Sequence, residues 1–222
     1  MVDGGSTGGS VDIVQRHANR LALWVSEPDR GQFDAINKGF SHSSGEVMAW
    51  LKSDDMHLPG ALSVVGEIFA TFPEIDWLTT LHPLWISVSD RLTNCSSAGG
   101  YSRKGFFRSE HLGEAGRYHK DFVQQESTVW RRSLWERAGG ALTTRWRLAG
   151  DFELWARFHR HAELYNEEVH RGGHERPAGE RRAHLWQSRV VRAHGCRPNV
   201  RRVGVAARPR VRAPARDSGD PR

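Results

Sequence analysis

Asp54 and Asp55 stand side by side at the end of Val47-Met48-Ala49-Trp50-Leu51-Lys52-Ser53-Asp54-Asp55, where five apolar residues run almost directly into two carboxylates. Adjacent carboxylates are hard oxygen donors suited to Mg²⁺ or Mn²⁺, ions that commonly complete their coordination with substrate phosphates. A short apolar run bounded by turn residues is expected to form a buried strand of a parallel sheet. Ligands of open α/β sheets gather beyond the carboxyl ends of such strands. The same residues also fit a solvated strand-to-helix turn with Asp55 as the helix N-cap. This segment alone supports both readings.

The elements that must position these carboxylates alternate in type. Residues 11–18 carry a helical pattern, residues 21–25 are a strand candidate, and residues 32–40 form a short helix closed by Gly39. Residues 59–72 make an amphipathic helix stopped by Pro73, and residues 75–81 another strand. Residues 82–120, rich in Gly, Ser, His and Arg, are expected to form a long loop region. Residues 122–130 are expected to be extended, and a helix starts at Ser133 and stops at Gly139-Gly140. From Asp151 to His161, the apolar residues Phe152, Trp155 and Phe158 keep the spacing of one helix face. Such alternation predicts an α/β sandwich. Trp130, Trp135, Trp146 and Trp155 are expected to pack in its core, with a sugar-stacking surface as the alternative.

The chain is 222 residues long, room for one domain with a sizeable core. It contains no apolar run long enough to span a membrane, and its start shows no signal-peptide pattern. With Cys95 and Cys196 as the two cysteines, a disulfide framework is not expected and a reducing cytoplasm is the default. The net charge of +6 is unevenly spread. Residues 1–168 hold 18 Lys and Arg against 22 Asp and Glu, a net of −4. Residues 169–222 hold 14 Arg against 4 acids, a net of +10. This second stretch is dominated by Arg, Ala, Gly, Pro and Val without helix or strand period, and is expected to be disordered. Its charge could bind nucleic acid or anionic lipid, but with Trp186 as its one aromatic, no specific nucleic acid partner is expected.

Several motifs, in order, resemble family 2 glycosyltransferases of the GT-A fold. They are Val2-Asp3-Gly4-Gly5-Ser6-Thr7, Glu27-Pro28-Asp29-Arg30-Gly31-Gln32, Asp34-Ala35-Ile36-Asn37-Lys38-Gly39 and Leu51-Lys52-Ser53-Asp54-Asp55. The second half adds Gln124-Gln125-Glu126-Ser127-Thr128-Val129-Trp130-Arg131-Arg132 and Leu148-Ala149-Gly150-Asp151-Phe152-Glu153-Leu154-Trp155. The resemblance covers roughly residues 2–165. It implies a Rossmann-like mixed sheet flanked by helices. Residues 1–168 would be a partial GT-A domain, and residues 169–222 a tail unlike the family's.

By that resemblance Asp3 contacts the nucleoside of a nucleotide-sugar donor, and Arg30, Asp34 and Asp54 belong to the donor site. Asp54 and Asp55 form the acidic motif that holds Mg²⁺ or Mn²⁺ against the diphosphate. Asp151 resembles the catalytic base, and Glu126 lies near the acceptor. The implied partners are a nucleotide-sugar donor and a saccharide or lipid-linked acceptor. The implied setting is cell-surface polysaccharide synthesis in the cytoplasm, peripheral to the inner membrane face. Chemistry agrees: a divalent ion neutralises a departing nucleoside diphosphate, and a carboxylate takes the proton of an attacking hydroxyl. One base and one metal suffice for a single displacement with inversion.

Each residue also has a bland role. Asp3 could be a turn former, Arg30 and Asp34 a surface pair, Asp151 a helix N-cap, and Glu126 a brace for Arg131 or Arg132. Lys52 stands where the family usually has Asp or Asn, and Gly8 where it has Asp. The family's first strand and helix precede the Asp3 turn, so the resemblance implies a sheet lacking its first βα unit. An Arg, Pro, Ala and Gly tail is what a GC-rich gene yields in a shifted frame. The expectation is therefore a truncated or frame-shifted product, with an inactive remnant or a basic-tail binding module as the alternatives to an active transferase.

Overall fold

The computed structural model describes residues 1–81, 84–86, 92–95, 100–111, 122–168, 189–191 and 210–212. The chain opens with β1 (Val2–Asp3), α1 (Ser10–Arg16), β2 (Val25–Ser26), α2 (Gln32–Ser41), β3 (Val47–Met48), α3 (Ala61–Thr71) and β4 (Trp77–Thr80). It continues through β5 (Leu84–Ile86), β6 (Leu92–Cys95), α4 (Arg103–Phe107), β7 (Val129–Arg131), α5 (Arg132–Arg137), α6 (Gly150–Phe158) and β8 (Leu164–Glu168). Two short strands follow, β9 (Arg189–Val191) and β10 (Arg210–Arg212). Both lie in the stretch expected to be without structure; the rest of residues 169–222 lies outside the described residues. No helix among the described residues is long and apolar enough to cross a membrane.

The chain divides into two compact units, residues 1–46 with 135–161, and residues 47–134 with 162–222. In the first, β1 and β2 pair in parallel, Val2 opposite Val25 and Asp3 opposite Ser26. The strand expected over residues 21–25 shrinks to Val25–Ser26. Residues 18–20 close instead into a 3-10 turn, in which the Leu21 amide donates to the Ala18 carbonyl at 3.1 Å. Gly39 lies inside α2 rather than closing it. A Cβ there would make an ordinary contact with Val2 Cγ2 at 3.4 Å, so β1 lies close against the helix.

Helix α6 buries Leu154, Trp155 and Phe158 completely, the i, i+1, i+4 pattern of one face. Arg157 on the same helix pairs with Glu153 at 2.8 Å and donates to the Ala138 and Ala141 carbonyls, which fixes the chain entering from α5. Asn37 of α2 holds the backbone of Leu142 from both sides, accepting from its amide and donating to its carbonyl, each at 2.8 Å.

Gly150 is required by packing. A Cβ there would meet three Phe33 ring atoms at 2.6–2.8 Å, and Phe33 is itself buried. Alanine in a helix normally gains up to about 1 kcal/mol over glycine, whereas overpacking a core costs about 1–3 kcal/mol. The clash should win. Gly150→Ala is expected to lower the melting temperature by a few degrees; a rise on calorimetry would show that Phe33 yields freely.

In the second unit a five-stranded mixed sheet has the order β10-β8-β4-β7-β3. Strand β4 runs parallel to β8 and antiparallel to β7. A separate three-stranded sheet has the order β6-β5-β9, with β5 and β6 in the expected loop region and β9 in the stretch after residue 168. Helix α3 lays Ala61, Val64, Val65, Ile68 and Phe69 onto Ile75, Leu78 and Val129, burying one stripe of i, i+3/i+4, i+7/i+8 residues. Arg131 closes the end of that helix: its guanidinium donates to the carbonyls of Phe69 at 2.7 Å and Ile75 at 2.9 Å, and lies 5.0 Å from the Phe69 ring centre. Carbonyls with no partner within the helix are thereby satisfied.

Three further expectations are corrected. β3 is antiparallel to its neighbour β7, with Met48 opposite Trp130, not a strand of a parallel sheet. That pairing suits Trp50, whose ring meets Trp130 edge-on at 5.3 Å. Residues 122–130 are not extended throughout, because Gln125–Ser127 is a 3-10 turn. Thr128 Oγ1 donates back to the Gln124 carbonyl at 2.7 Å, a side-chain bond that competes with ladder pairing. The third correction concerns the tryptophans. Trp130, Trp135 and Trp155 are buried as expected, but Trp146 of the first unit is half exposed.

Candidate functional site

The first unit holds Asp3, Arg30, Asp34 and Asp151. Asp3 ends β1, and its carboxylate accepts three hydrogen bonds on Oδ2 and one on Oδ1. The Ser26 and Ser6 hydroxyls donate at 2.6 Å each, and the Gly5 and Ser6 amides at 3.1 and 2.9 Å. These bonds, that of Ser26 foremost, hold its pKa down to about 2. It is therefore a permanent anion that shapes a turn, with Gly5 supplying the positive φ of 85°. A side chain on Gly4 would collide with the Asp29 carboxylate, so this turn abuts the one formed by residues 27–31.

Asp34, in the first turn of α2, accepts from Arg30 Nη2 at 2.9 Å and from the Arg30 amide at 3.2 Å. Lys38 Nζ lies 3.8 Å from its other oxygen and bonds Glu27 at 2.7 Å. The bond from Arg30, ahead of the weaker pull of Lys38, lowers the Asp34 pKa. The two residues thus form the ion pair of the bland reading, with Arg30 exposed and Asp34 buried. Arg30, Gly31, Gln32, Phe33 and Asp34 line one side of an open cleft of about 440 Å³, with Thr144, Arg147 and Leu148 opposite. That volume lies within the range of small-ligand pockets.

Asp151 is the second residue of α6, whose N-cap is Ala149, so the N-cap expectation is corrected. Its carboxylate accepts from the Phe152 amide at 2.8 Å. An acid in the first turn suits the positive end of the helix dipole.

The second unit gathers Asp54, Asp55 and Glu126. Strand β3 ends at Met48, and the carboxylates sit beyond it in a turn closed by the Asp55 amide on the Lys52 carbonyl at 3.1 Å. Asp55 is not the cap of α3; Gly60, with φ 84°, takes that position. Burial first, then the negative charges of Glu126 and Asp54, push the Asp55 pKa up to about 7, against a weaker opposing effect from Lys52. Gln125 Nε2 donates to Asp55 Oδ2 at 3.5 Å, while His57 Nε2 approaches the Glu126 carbonyl at 3.3 Å. Gln125 is buried and its Oε1 has no partner among the described residues.

A carbonyl oxygen without a donor, beside mutually repelling carboxylates, is a fit environment for a cation. Among the described residues, however, no three Asp, Glu, His or Cys side chains converge as a self-sufficient metal cage. Sequence reasoning missed Ser26 and Gln125. Their signal is weak, because each acts on a carboxylate more than 20 residues away in the chain.

Parallel and antiparallel strands in one sheet with helices packed on it are the GT-A glycosyltransferase architecture. TarS of S. aureus, solved in complex with UDP-GlcNAc, superposes with a TM-score of 0.56 at 12% identity, over 87% of this chain and 49% of that one. TarS residues 1–349 solved alone give 0.52 at 16% identity, over 73% and 47%. Residues 1–106 match the family described as Glycosyl transferase family 2.

An uncharacterized glycosyltransferase of Mycobacterium tuberculosis H37Rv is 40% identical over 55 residues, 25% of this chain and 21% of that protein. One from Nostoc sp. is 36% identical over 74 residues, 32% and 23%. The matched segments span about a fifth of these curated relatives.

Proposed function

We propose that this protein transfers a sugar from a nucleotide-sugar donor to an acceptor hydroxyl, with inversion and with help from Mg²⁺ or Mn²⁺. The observation that carries the reading is the strained group of Asp54, Asp55 and Glu126 beside Gln125. Burial and the charges of Glu126 and Asp54 raise the proton affinity of Asp55, a conflict that a proton or a divalent cation relieves. Asp54 and Asp55 would hold the ion, and the donor's phosphates would complete its shell, as is usual where few protein ligands converge. When bound, the cation offsets charge on the departing nucleoside diphosphate.

The remaining roles belong to this chain's side chains. Asp3 presents a fixed negative charge to nucleoside hydroxyl or imide groups. Arg30, braced by Asp34, supplies positive charge at the cleft. Asp151 takes the proton of the acceptor hydroxyl, and Glu126 helps to seat the acceptor. TarS, complexed with UDP-GlcNAc, supports a nucleoside diphosphate sugar as donor and makes UDP the first probe. The acceptor we assign is a saccharide or lipid-linked saccharide in cell-surface polysaccharide synthesis.

UDP with Mn²⁺ should raise the melting temperature. A ligand at a hundred times its Kd stabilises by about 2.7 kcal/mol. The reading fails if no nucleoside diphosphate shifts the transition in the presence of either ion.

The response should depend on pH. Since the folded-state pKa of Asp55 is raised to about 7 from 3.8, the folded chain holds a proton there that the unfolded chain releases. The proton favours the folded state at low pH, and stability falls as pH rises between those values. The ion must displace that proton. Apparent Mn²⁺ affinity in the presence of UDP, read by calorimetry, is expected to fall about tenfold from pH 8 to pH 6. Equal affinity at both would remove Asp55 as a ligand.

A further inference from the structure

Within the first unit, residues 143–148 form a lip on the cleft that is held at both ends and bare at its crest. Leu142, at its start, is clasped by Asn37, and Thr143 Oγ1 accepts from the Arg145 amide at 3.3 Å. Gln32 Nε2 donates to the Arg147 carbonyl at 3.4 Å, and Gly150 at its far end is pressed against Phe33. Anchored in this way to α2, the lip turns its side chains outward. Leu148 is 91% exposed and Trp146 50% exposed. The Arg145 guanidinium lies 4.9 Å from the Trp146 ring centre, and Arg147 has no ionic partner among the described residues.

Two large apolar side chains exposed two residues apart, rimmed by cations, are the pattern of an interaction surface rather than of a singly exposed residue. Their order, Arg145-Trp146-Arg147-Leu148, alternates cations with apolar groups. A protein partner's core would have to desolvate both guanidinium groups. A membrane interface does not: tryptophan settles at headgroup depth, leucine enters the acyl boundary, and arginines stay with lipid phosphates. Arg30, on the opposite side of the cleft, adds a third exposed guanidinium and already neutralises Asp34, the carboxylate nearest to it.

We propose that this lip is a membrane-docking surface that inserts Trp146 and Leu148 into the interface of an anionic bilayer. Arg30, Arg147 and Leu148 also line the cleft assigned above to the donor, so the surface borders that site, while its test needs neither donor nor metal. The Arg-rich stretch after residue 168 also attracts anionic vesicles, so the test must report position and not binding alone.

An environment-sensitive fluorophore is placed by Leu148→Cys in the full chain with Cys95→Ser and Cys196→Ser. A control carries it by Leu62→Cys, at a 65% exposed position on α3. With vesicles of equal phosphatidylglycerol and phosphatidylcholine, the label at 148 should shift to the blue and be quenched by brominated acyl chains, and that at 62 should do neither. Because each arginine near an anionic surface contributes about 1 kcal/mol, Arg145→Gln with Arg147→Gln should weaken quenching-detected partitioning about thirtyfold. Trp146→Ser should weaken it as well. The proposal is overturned if the protein sediments with vesicles while the label at 148 stays in water, if both labels respond alike, or if nothing binds.

Discussion

Replacing Asp151 with asparagine is expected to abolish sugar transfer while donor binding survives. The expected loss in turnover is about a hundredfold to ten-thousandfold, the range of a positioned general base. Asparagine preserves what the structure asks of the side chain locally, since its carbonyl oxygen can still accept from the Phe152 amide as the carboxylate does at 2.8 Å. What it loses is basicity, together with a favourable charge in the first turn of α6, about 0.3–1 kcal/mol at an exposed helix start. A fall of a degree or two in melting temperature is therefore expected, far too little to explain the loss in rate. Nucleotide release in the presence of acceptor reads the first quantity, and UDP titration reads the second. Retained turnover would remove Asp151 as the base; loss of UDP binding together with turnover would make its role structural.

How far the sequence anticipates this arrangement depends on the distance over which each feature is decided. Helices α2, α3 and α6 were legible because their apolar spacing is local and their ends carry signals such as Gly31 and Pro73. The strands were less so: β1, β2 and β3 are two residues each, and strand length is set by pairing partners that no local window contains. The direction of β3 was missed for the same reason, its neighbour β7 lying some 80 residues onward.

At the site, residue types were visible but their states were not. Asp3 and Asp55 are equivalent letters, yet Ser26 holds one far toward the charged form while burial and Glu126 push the other toward the protonated one. Trp146 shows the same limit: tryptophans 130, 135 and 155 sit on paired elements and are buried, whereas an anchored loop carries Trp146 outward.

Asp55→Asn is expected to stabilise the chain and to disable it. Burial, then the charges of Glu126 and Asp54, raise the pKa of Asp55 to about 7. An amide of the same shape removes that conflict, keeps the partnership with Gln125, and offers its own N–H₂ group to the buried Gln125 Oε1. The gain at pH 8, discounted for the solvent that still reaches the side chain, is on the order of 1 kcal/mol, a melting temperature higher by a few degrees. The gain should shrink as pH falls below 7 and vanish below 3.8, where Asp55 carries its proton in both the folded and the unfolded chain. The cost falls on the cation. With Asp54 as the remaining charged ligand in this turn, Mn²⁺-dependent UDP binding should weaken by about a hundredfold or more, a loss near 3 kcal/mol. Stabilisation and loss of binding share one origin, the repulsion that a divalent ion is there to relieve. A variant that is destabilised at pH 8, or that keeps its Mn²⁺-dependent response, would separate the raised proton affinity of Asp55 from metal binding and leave it a property of the turn alone.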